Sequence, residues 1–387
     1  MRPEPFRVEV PQAQLDDLER RLRAFRNTPD FANADWGYGT NGDYLADVVD
    51  YWIRDYDWRA EEARINEFEH FRVEIEGIPI HYLKMPGRGP SPLPLVLTHG
   101  WPWTFWDYRY VIEPLADPAA HGGDPADAFD VIVPSLPGFA FSGPLEQTGI
   151  GWARTADLWA ILMRDVLGYE RFAAGGGDWG AFVTAQLGHK YAPLLHGIHE
   201  TFPALVDLDY VGLGEAAYAE DERDLYAQRR AMEGATVSHM TVQGTDPQTL
   251  AYALNDSPAG LAAWILERRR NWSDCGGDLE RAFSRNHLLT TLCLFWFTGS
   301  IGSSMRFYWE NARQDWRPAH DRKPCIEAPT AMAIFPRDVF PIPRQVVESH
   351  ANLQRWTRMP RGGHFAPAEA PELVVEDLRA FFRDRRG

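Results

Sequence analysis

The stretch Phe172-Ala173-Ala174-Gly175-Gly176-Gly177-Asp178-Trp179-Gly180 constrains this chain more than any other. Phe172 to Gly176 reads as a short strand, and Ala181 to Tyr191 reads as a helix. Between them stands Gly176-x-Asp178-x-Gly180, the small-x-nucleophile-x-small pattern of a nucleophile elbow. Such an elbow is a turn so sharp that only small neighbours let the backbone pass. The usual occupant is Ser; here it is Asp. A carboxylate, with an ordinary pKa of about 3.9, is already ionised at neutral pH and needs no base to attack. Its adduct is an ester of the protein itself, which water must then cleave. That chemistry suits a saturated electrophilic carbon, as in an epoxide or an alkyl halide. The pattern alone also fits an ordinary glycine-rich turn, so the rest of the chain has to decide.

An alternating series surrounds the elbow. Phe71 to Glu76 and Ile78 to Leu83 alternate about a turn at Gly77 and read as a hairpin. Leu93 to Thr98 is an apolar run typical of a buried parallel strand and ends in His99-Gly100-Trp101-Pro102. A helix from Trp106 to Leu115, a strand from Phe129 to Val133, a helix over Thr155 to Leu167 and a strand from Leu194 to His199 continue the series. It predicts a mostly parallel α/β sheet with helices on both faces. From about Pro203 to Arg322 the periodicity is helical throughout. Strand signal returns at Thr330 to Phe335 and Leu353 to Thr357, before a closing helix over Glu369 to Phe382. Before the sheet, apolar Leu15, Leu18, Leu22 and Phe25 repeat at helical spacing, and an aromatic-rich segment follows. We therefore expect an arm at 1–70 packed on the core, an α/β core at 71–202 and 326–387, and an inserted helical cap at 203–325.

An α/β-hydrolase site needs nucleophile, acid and His in that chain order. Asp178, Asp338 in Phe335-Pro336-Arg337-Asp338 and His364 in Gly362-Gly363-His364-Phe365 supply it. Glu200, at the end of the strand after the elbow helix, is a rival acid. The loop after the 93–98 strand normally supplies an oxyanion donor, so the backbone N–H groups of Trp101 and Trp179 are candidates. His99, Pro102, Trp103 and Trp106 are candidates for lining the substrate pocket. Each residue also has a plainer reading: a turn Asp, one surface His among 12, and aromatics packed for stability. His196 and His199 face opposite sides of a strand, so no metal site is expected there.

Composition excludes several partners. With 387 residues and 45% hydrophobic content, the chain has ample material for a core plus an insertion. Its net charge of -16 argues against nucleic acid and anionic membranes as partners. Three cysteines at irregular spacing give neither a disulfide framework nor a zinc site. No signal-peptide core and no membrane-spanning run occurs, so a cytoplasmic protein is expected, with a homodimer compatible.

With these residues in view, the chain resembles epoxide hydrolases of the microsomal type, which carry an N-terminal arm before an α/β-hydrolase core. The resemblance rests on HGWP at 99–102, GGDWG at 176–180, DPQTLAYALNDSPAGLAAWILE at 246–267, TGSIGSSMRFYWEN at 298–311, FPRD at 335–338 and RGGHFAPAEAPE at 361–372. It implies that Asp178 opens an epoxide to an alkyl ester, which His364, oriented by Asp338, cleaves with water to a vicinal diol. No cofactor is implied; the partners are a small epoxide and water. Two cap tyrosines usually donate to the epoxide oxygen. Tyr308 matches one, but His239 stands at the position of the other. Either His239 replaces it, adding a pKa near 6.5, or Tyr308 acts alone or with another cap tyrosine. Two alternatives stay open: a haloalkane dehalogenase, which shares Asp followed by Trp, and a non-catalytic ligand receptor. Detoxification, catabolism and secondary metabolism are all compatible.

Overall fold

A computed structural model describes residues 2–208, 210 and 213–386. Its strands are β1 (Glu4–Phe6), β2 (Glu69–Ile75), β3 (Ile78–Met85), β4 (Leu93–Thr98), β5 (Phe129–Pro134), β6 (Phe172–Gly176), β7 (Leu195–Glu200), β8 (Ile326–Ile334) and β9 (Ala351–Arg358). They form one sheet in the order β1-β2-β3-β5-β4-β6-β7-β8-β9. The hairpin is as tight as its sequence suggests. Ile75 pairs with Ile78, and the two turn residues, Glu76 and Gly77, both have positive φ (53° and 77°). From β5 to β9 all neighbours are parallel.

The chain runs outward from β4 in both directions, to β5 on one side and β6 on the other. Such a reversal leaves a crevice at the carboxyl ends of the strands, where open α/β sheets bind their ligands. Thr98 pairs with Gly176, and Gly176 with Glu200, so the loops after β4, β6 and β7 leave the sheet side by side.

The helices are α1 (Gln12–Arg23), α2 (Gly42–Arg54), α3 (Trp58–Ile65), α4 (Arg109–Ala116), α5 (Trp152–Ile161), α6 (Trp179–Lys190), α7 (Arg223–Thr245), α8 (Pro247–Asp256), α9 (Pro258–Trp272), α10 (Arg285–Thr298), α11 (Ile301–Asn311), α12 (Arg344–His350), α13 (Ala366–Glu369) and α14 (Pro371–Phe382). Helices α7 to α11 fill the interval between β7 and β8, with no strand among the described residues there. The first segment does more than its helical periodicity suggests. Its residues 4–6 add a strand to the sheet edge, with Phe6 opposite His70. The Asn66 side chain then bonds both the N–H (2.9 Å) and the C=O (2.8 Å) of Val8. Farther along, Tyr51 donates to Asn286 at the start of α10 (2.8 Å), and Thr40 to the Ala263 carbonyl of α9 (2.7 Å). The segment thus straps the sheet to two of the intervening helices. Trp52 and Trp58 are buried in this contact, whereas Tyr38 is exposed.

Candidate active site

Asp178 caps α6 with φ 52° and ψ −127°, a left-handed conformation that costs an L residue roughly 1–3 kcal/mol. Its neighbours explain why the turn closes. A Cβ on Gly180 would overlap the Thr98 carbonyl, and one on Gly176 would overlap the Gly180 carbonyl. Gly100 faces the Asp178 side chain so closely that it too must lack a Cβ. The carboxylate is held from both sides. Its Oδ1 accepts the Trp101 N–H at 2.8 Å, and its Oδ2 lies 3.1 Å from His364 Nε2.

His364 stands on the loop between β9 and α13, and its N–H donates to the Trp272 carbonyl (2.8 Å). The Arg337 N–H donates to the Gly362 carbonyl (3.1 Å), which ties this loop to the one bearing Asp338. His364 Nδ1 meets Asp338 Oδ1 at 2.7 Å, and the same oxygen accepts the Val339 N–H at 2.7 Å. Burial alone disfavours a charged imidazole. The Asp338 charge and the hydrogen bonds to Asp178 and Asp338 outweigh it and lift His364 to about 9. The ring is boxed by edge contacts with Trp103, Phe202, Trp272 and Phe365, at centroid distances of 5.6, 5.7, 5.4 and 5.3 Å.

The rival acid takes no part in this pair. Glu200 is fully buried, and its Oε2 accepts the Ala204 N–H at 3.0 Å. Desolvation pushes its pKa well above the carboxylate range, which keeps it neutral. His199 is tied by Nε2 to Asp377 on α14 at 2.9 Å.

Opposite Asp178, α11 brings in Tyr308 and α7 brings in His239. Tyr308 stands edge-on to Trp179 (4.8 Å), His239 (5.4 Å) and Trp101 (5.7 Å). Burial, and then the Asp178 charge, push its phenol well above the ordinary value, so it keeps its proton. His239 stacks on Trp101 at 5.3 Å and 7° and tilts against Trp272 at 4.7 Å. Its pKa falls well below 6.5, first from burial and then from the Arg268 and His364 charges. Burial therefore favours the neutral ring over the titration near 6.5 expected of an imidazole here. Its Nδ1 is buried without a hydrogen-bond partner, and one turn on, both polar side-chain atoms of Gln243 are likewise unpartnered among the described residues.

The pocket-lining candidates need correction. His99 is fully buried with both ring nitrogens engaged: Nδ1 with the Gly100 carbonyl (2.9 Å), and Nε2 accepting the Leu136 N–H (3.1 Å). It fixes two loops. Trp103 backs the His364 ring and also lies against Gly177, so it packs behind the triad. Trp106 turns to Phe68, Phe105 and Arg109 instead. Pro102 is buried and offers its carbonyl to Arg269. The rings gathered about Tyr308 and His239 belong to Trp101, Trp179 and Trp272. Trp272 and Phe202 escaped the sequence reading, because an aromatic on a helix end or in a loop carries no local signal of which way it faces.

This sheet, its elbow and a carboxylate–imidazole–carboxylate relay at its carboxyl edge define an α/β-hydrolase with an Asp at the elbow. A model of the α/β hydrolase fold matches residues 94–371, and one described as the epoxide hydrolase N terminus matches residues 3–108. The chain belongs to the epoxide hydrolase family and is an epoxide hydrolase. It is 40% identical over 99% of its length to a Stigmatella aurantiaca protein whose name places it with the epoxide hydrolases, covering 85% of that protein. With epoxide hydrolase 1 of Oryctolagus cuniculus it shares 35% identity, covering 97% of this chain and 88% of the rabbit protein. The solved epoxide hydrolase of Aspergillus niger superposes with a TM-score of 0.85 at 29% identity, covering 99% of this chain and 96% of that one. The family sets the dehalogenase and receptor alternatives aside.

Proposed function

We propose that the protein hydrolyses apolar epoxides, aromatic ones included, through an ester on Asp178. The observation that carries this reading is the double tether of the Asp178 carboxylate, Oδ1 on the Trp101 N–H and Oδ2 on His364. Oδ2, on the side of the imidazole, attacks the epoxide carbon as the C–O bond opens. Tyr308 gives its proton to the departing oxygen, with His239 as the second hydrogen-bond donor. The charged His364 then returns a proton to the phenolate through solvent, which leaves a neutral imidazole, a neutral ester and a β-hydroxyl group. In the second step neutral His364, held by Asp338, takes a proton from water as the oxygen adds to Cγ. Oδ1 carries the negative charge of the tetrahedral intermediate, stabilised by the Trp101 N–H and by the Trp179 N–H, the first of α6. Collapse releases the diol, and Asp178 and protonated His364 are restored.

The aromatic faces of Trp101, Trp179 and Trp272 support an apolar substrate. The test is turnover of styrene oxide in 18O-labelled water by the native protein and by Asp178→Asn. Label should enter Asp178 of the native protein over repeated cycles, and the variant should lose roughly 10,000-fold or more in rate. Mass spectrometry of the variant checks for reversion of the amide. An unlabelled Asp178 after many turnovers would mean that water attacks the epoxide directly.

A further inference from the structure

Arg269, one turn from the end of α9, is fully buried, and the chemistry above makes no use of it. Its guanidinium forms a fork onto Asp107, with Nη1 to Oδ1 at 2.6 Å and Nη2 to Oδ2 at 3.0 Å. Nη2 also donates to the Pro102 carbonyl at 3.0 Å. Asp107 in turn accepts the Thr104 N–H at 3.0 Å and His287 Nε2 at 3.2 Å. The guanidinium carbon lies 4.0 Å from the ring centroid of Phe365, the residue after His364. One cation therefore touches the peptide next to Trp101, the helical turn that ends the loop, and the residue next to His364. Removing both charges from water makes such a pair a poor source of net stability. What the fork supplies is a fixed geometry, because its planar donors match the carboxylate in a single orientation.

We propose that Arg269 is a positioning residue for ester hydrolysis, holding the Trp101 N–H at the oxyanion position and seating the His364 loop against it. This role rests on the Asp178 ester proposed above. The two steps place opposite demands on the Trp101 N–H. During alkylation the Asp178 oxygen it binds loses charge and becomes the carbonyl oxygen of a neutral ester. The hydrogen bond then favours the ground state. During hydrolysis the same oxygen regains a full negative charge, and the hydrogen bond favours the transition state. A slipped Trp101 should leave alkylation as fast as before, or faster, and slow only the second step. A residue that merely holds the fold would lower the number of active sites and alter neither rate constant.

Arg269→Met alone would strand the Asp107 charge in the interior, so it is combined with Asp107→Asn, and Arg269→Lys is made separately. Single-turnover tryptophan fluorescence with styrene oxide reads both rate constants in the full-length protein, independently of the active fraction. In the double variant, hydrolysis should slow roughly 10- to 100-fold while alkylation holds or rises. The ester should then accumulate in intact mass spectra, and kcat and KM should fall together. Arg269→Lys, a point charge without the fork, should fall between the two. Equal slowing of both steps, or a hydrolysis constant within about two-fold of native, overturns the proposal. If the double variant is insoluble, the same ratio in Arg269→Lys decides. A native protein that forms no Asp178 ester overturns the mechanism beneath it, and is recognised first because it needs no variant.

Discussion

At the elbow, the Asp178, His364 and Asp338 side chains are tied down. Both Asp178 oxygens are bonded, both His364 nitrogens are bonded, and one Asp338 oxygen accepts two contacts. Of these atoms, Asp338 Oδ2 alone lacks a partner among the described residues. Opposite Asp178 the picture reverses. Tyr308 and His239 are held by ring packing, and His239 Nδ1 and both polar side-chain atoms of Gln243 are buried without hydrogen-bond partners among the described residues. An unpaired buried polar group costs about 1–3 kcal/mol, so these atoms of α7 carry a cost that the Asp178–His364 pair avoids. The contrast follows from what each side must do. A nucleophile and its base act best when fixed before the substrate arrives. In the mechanism proposed above, His239 gains a partner only when a substrate oxygen arrives.

Breaking the core side should have the largest effect. His364→Gln leaves Asp178 able to attack but removes the base, so the alkyl ester should persist and its hydrolysis should slow roughly 1,000-fold. Intact mass spectrometry after one turnover checks this; turnover close to native would remove His364 from the mechanism. The same residue sets a pH dependence. Its folded pKa of about 9 lies above its ordinary 6.5. The linked stability, on the order of 3 kcal/mol, is therefore fully present below about pH 6.5 and lost as pH rises through about 9. Urea denaturation across that range should show the loss, and His364→Gln should abolish it. Once Asp178 is esterified, its charge and hydrogen bond no longer raise His364. Ester hydrolysis should accordingly rise with pH through an apparent pKa below that of the resting protein.

Breaking the facing side, at Tyr308 and His239, should spare the second step. Tyr308→Phe keeps the ring packed between Trp101 and Trp179 but removes the phenolic proton. Alkylation should slow about 100-fold, with ester hydrolysis and folding nearly unchanged. Stopped-flow fluorescence separates the steps. An equal loss in both would mean that Tyr308 supports the elbow and does not serve the epoxide oxygen.

How much of this was legible from sequence follows the same division. Asp178, Asp338 and His364 each follow a strand or open a helix, where local glycine and proline chemistry announces a turn. The choice of Asp338 over Glu200 needed space as well as order. Glu200 ends β7 and Asp338 follows β8, and only the structure shows Glu200 bonded to Ala204 and pushed by burial toward its neutral form. The loop from His99 to Trp106 misled because its aromatic side chains leave a tight turn in several directions, and a buried Trp looks alike whichever way it faces. The strand Glu4–Phe6 has three residues, one of them Pro5, too few for any periodicity. Arg269 and Asp107 lie 162 residues apart, and nothing local marks two charges for pairing in the interior.

His239 offers the finest test of the contrast, because here function and stability should move in opposite directions. His239→Phe preserves the stack on Trp101 and removes an unpaired buried nitrogen, so it should stabilise the fold by about 1 kcal/mol. If the imidazole is the second donor, the same change should slow alkylation roughly 10-fold, and His239→Tyr should recover most of the loss. Because burial and the charges of Arg268 and His364 keep the ring neutral, the native alkylation profile should show no inflection near pH 6.5. Thermal denaturation and single-turnover rates, measured on the same three proteins, supply both halves. A phenylalanine variant that is more stable and equally fast would leave Tyr308 as the sole donor. The buried nitrogen would then be a packing cost without return, and α7 would owe its unpaired atoms to something other than the epoxide.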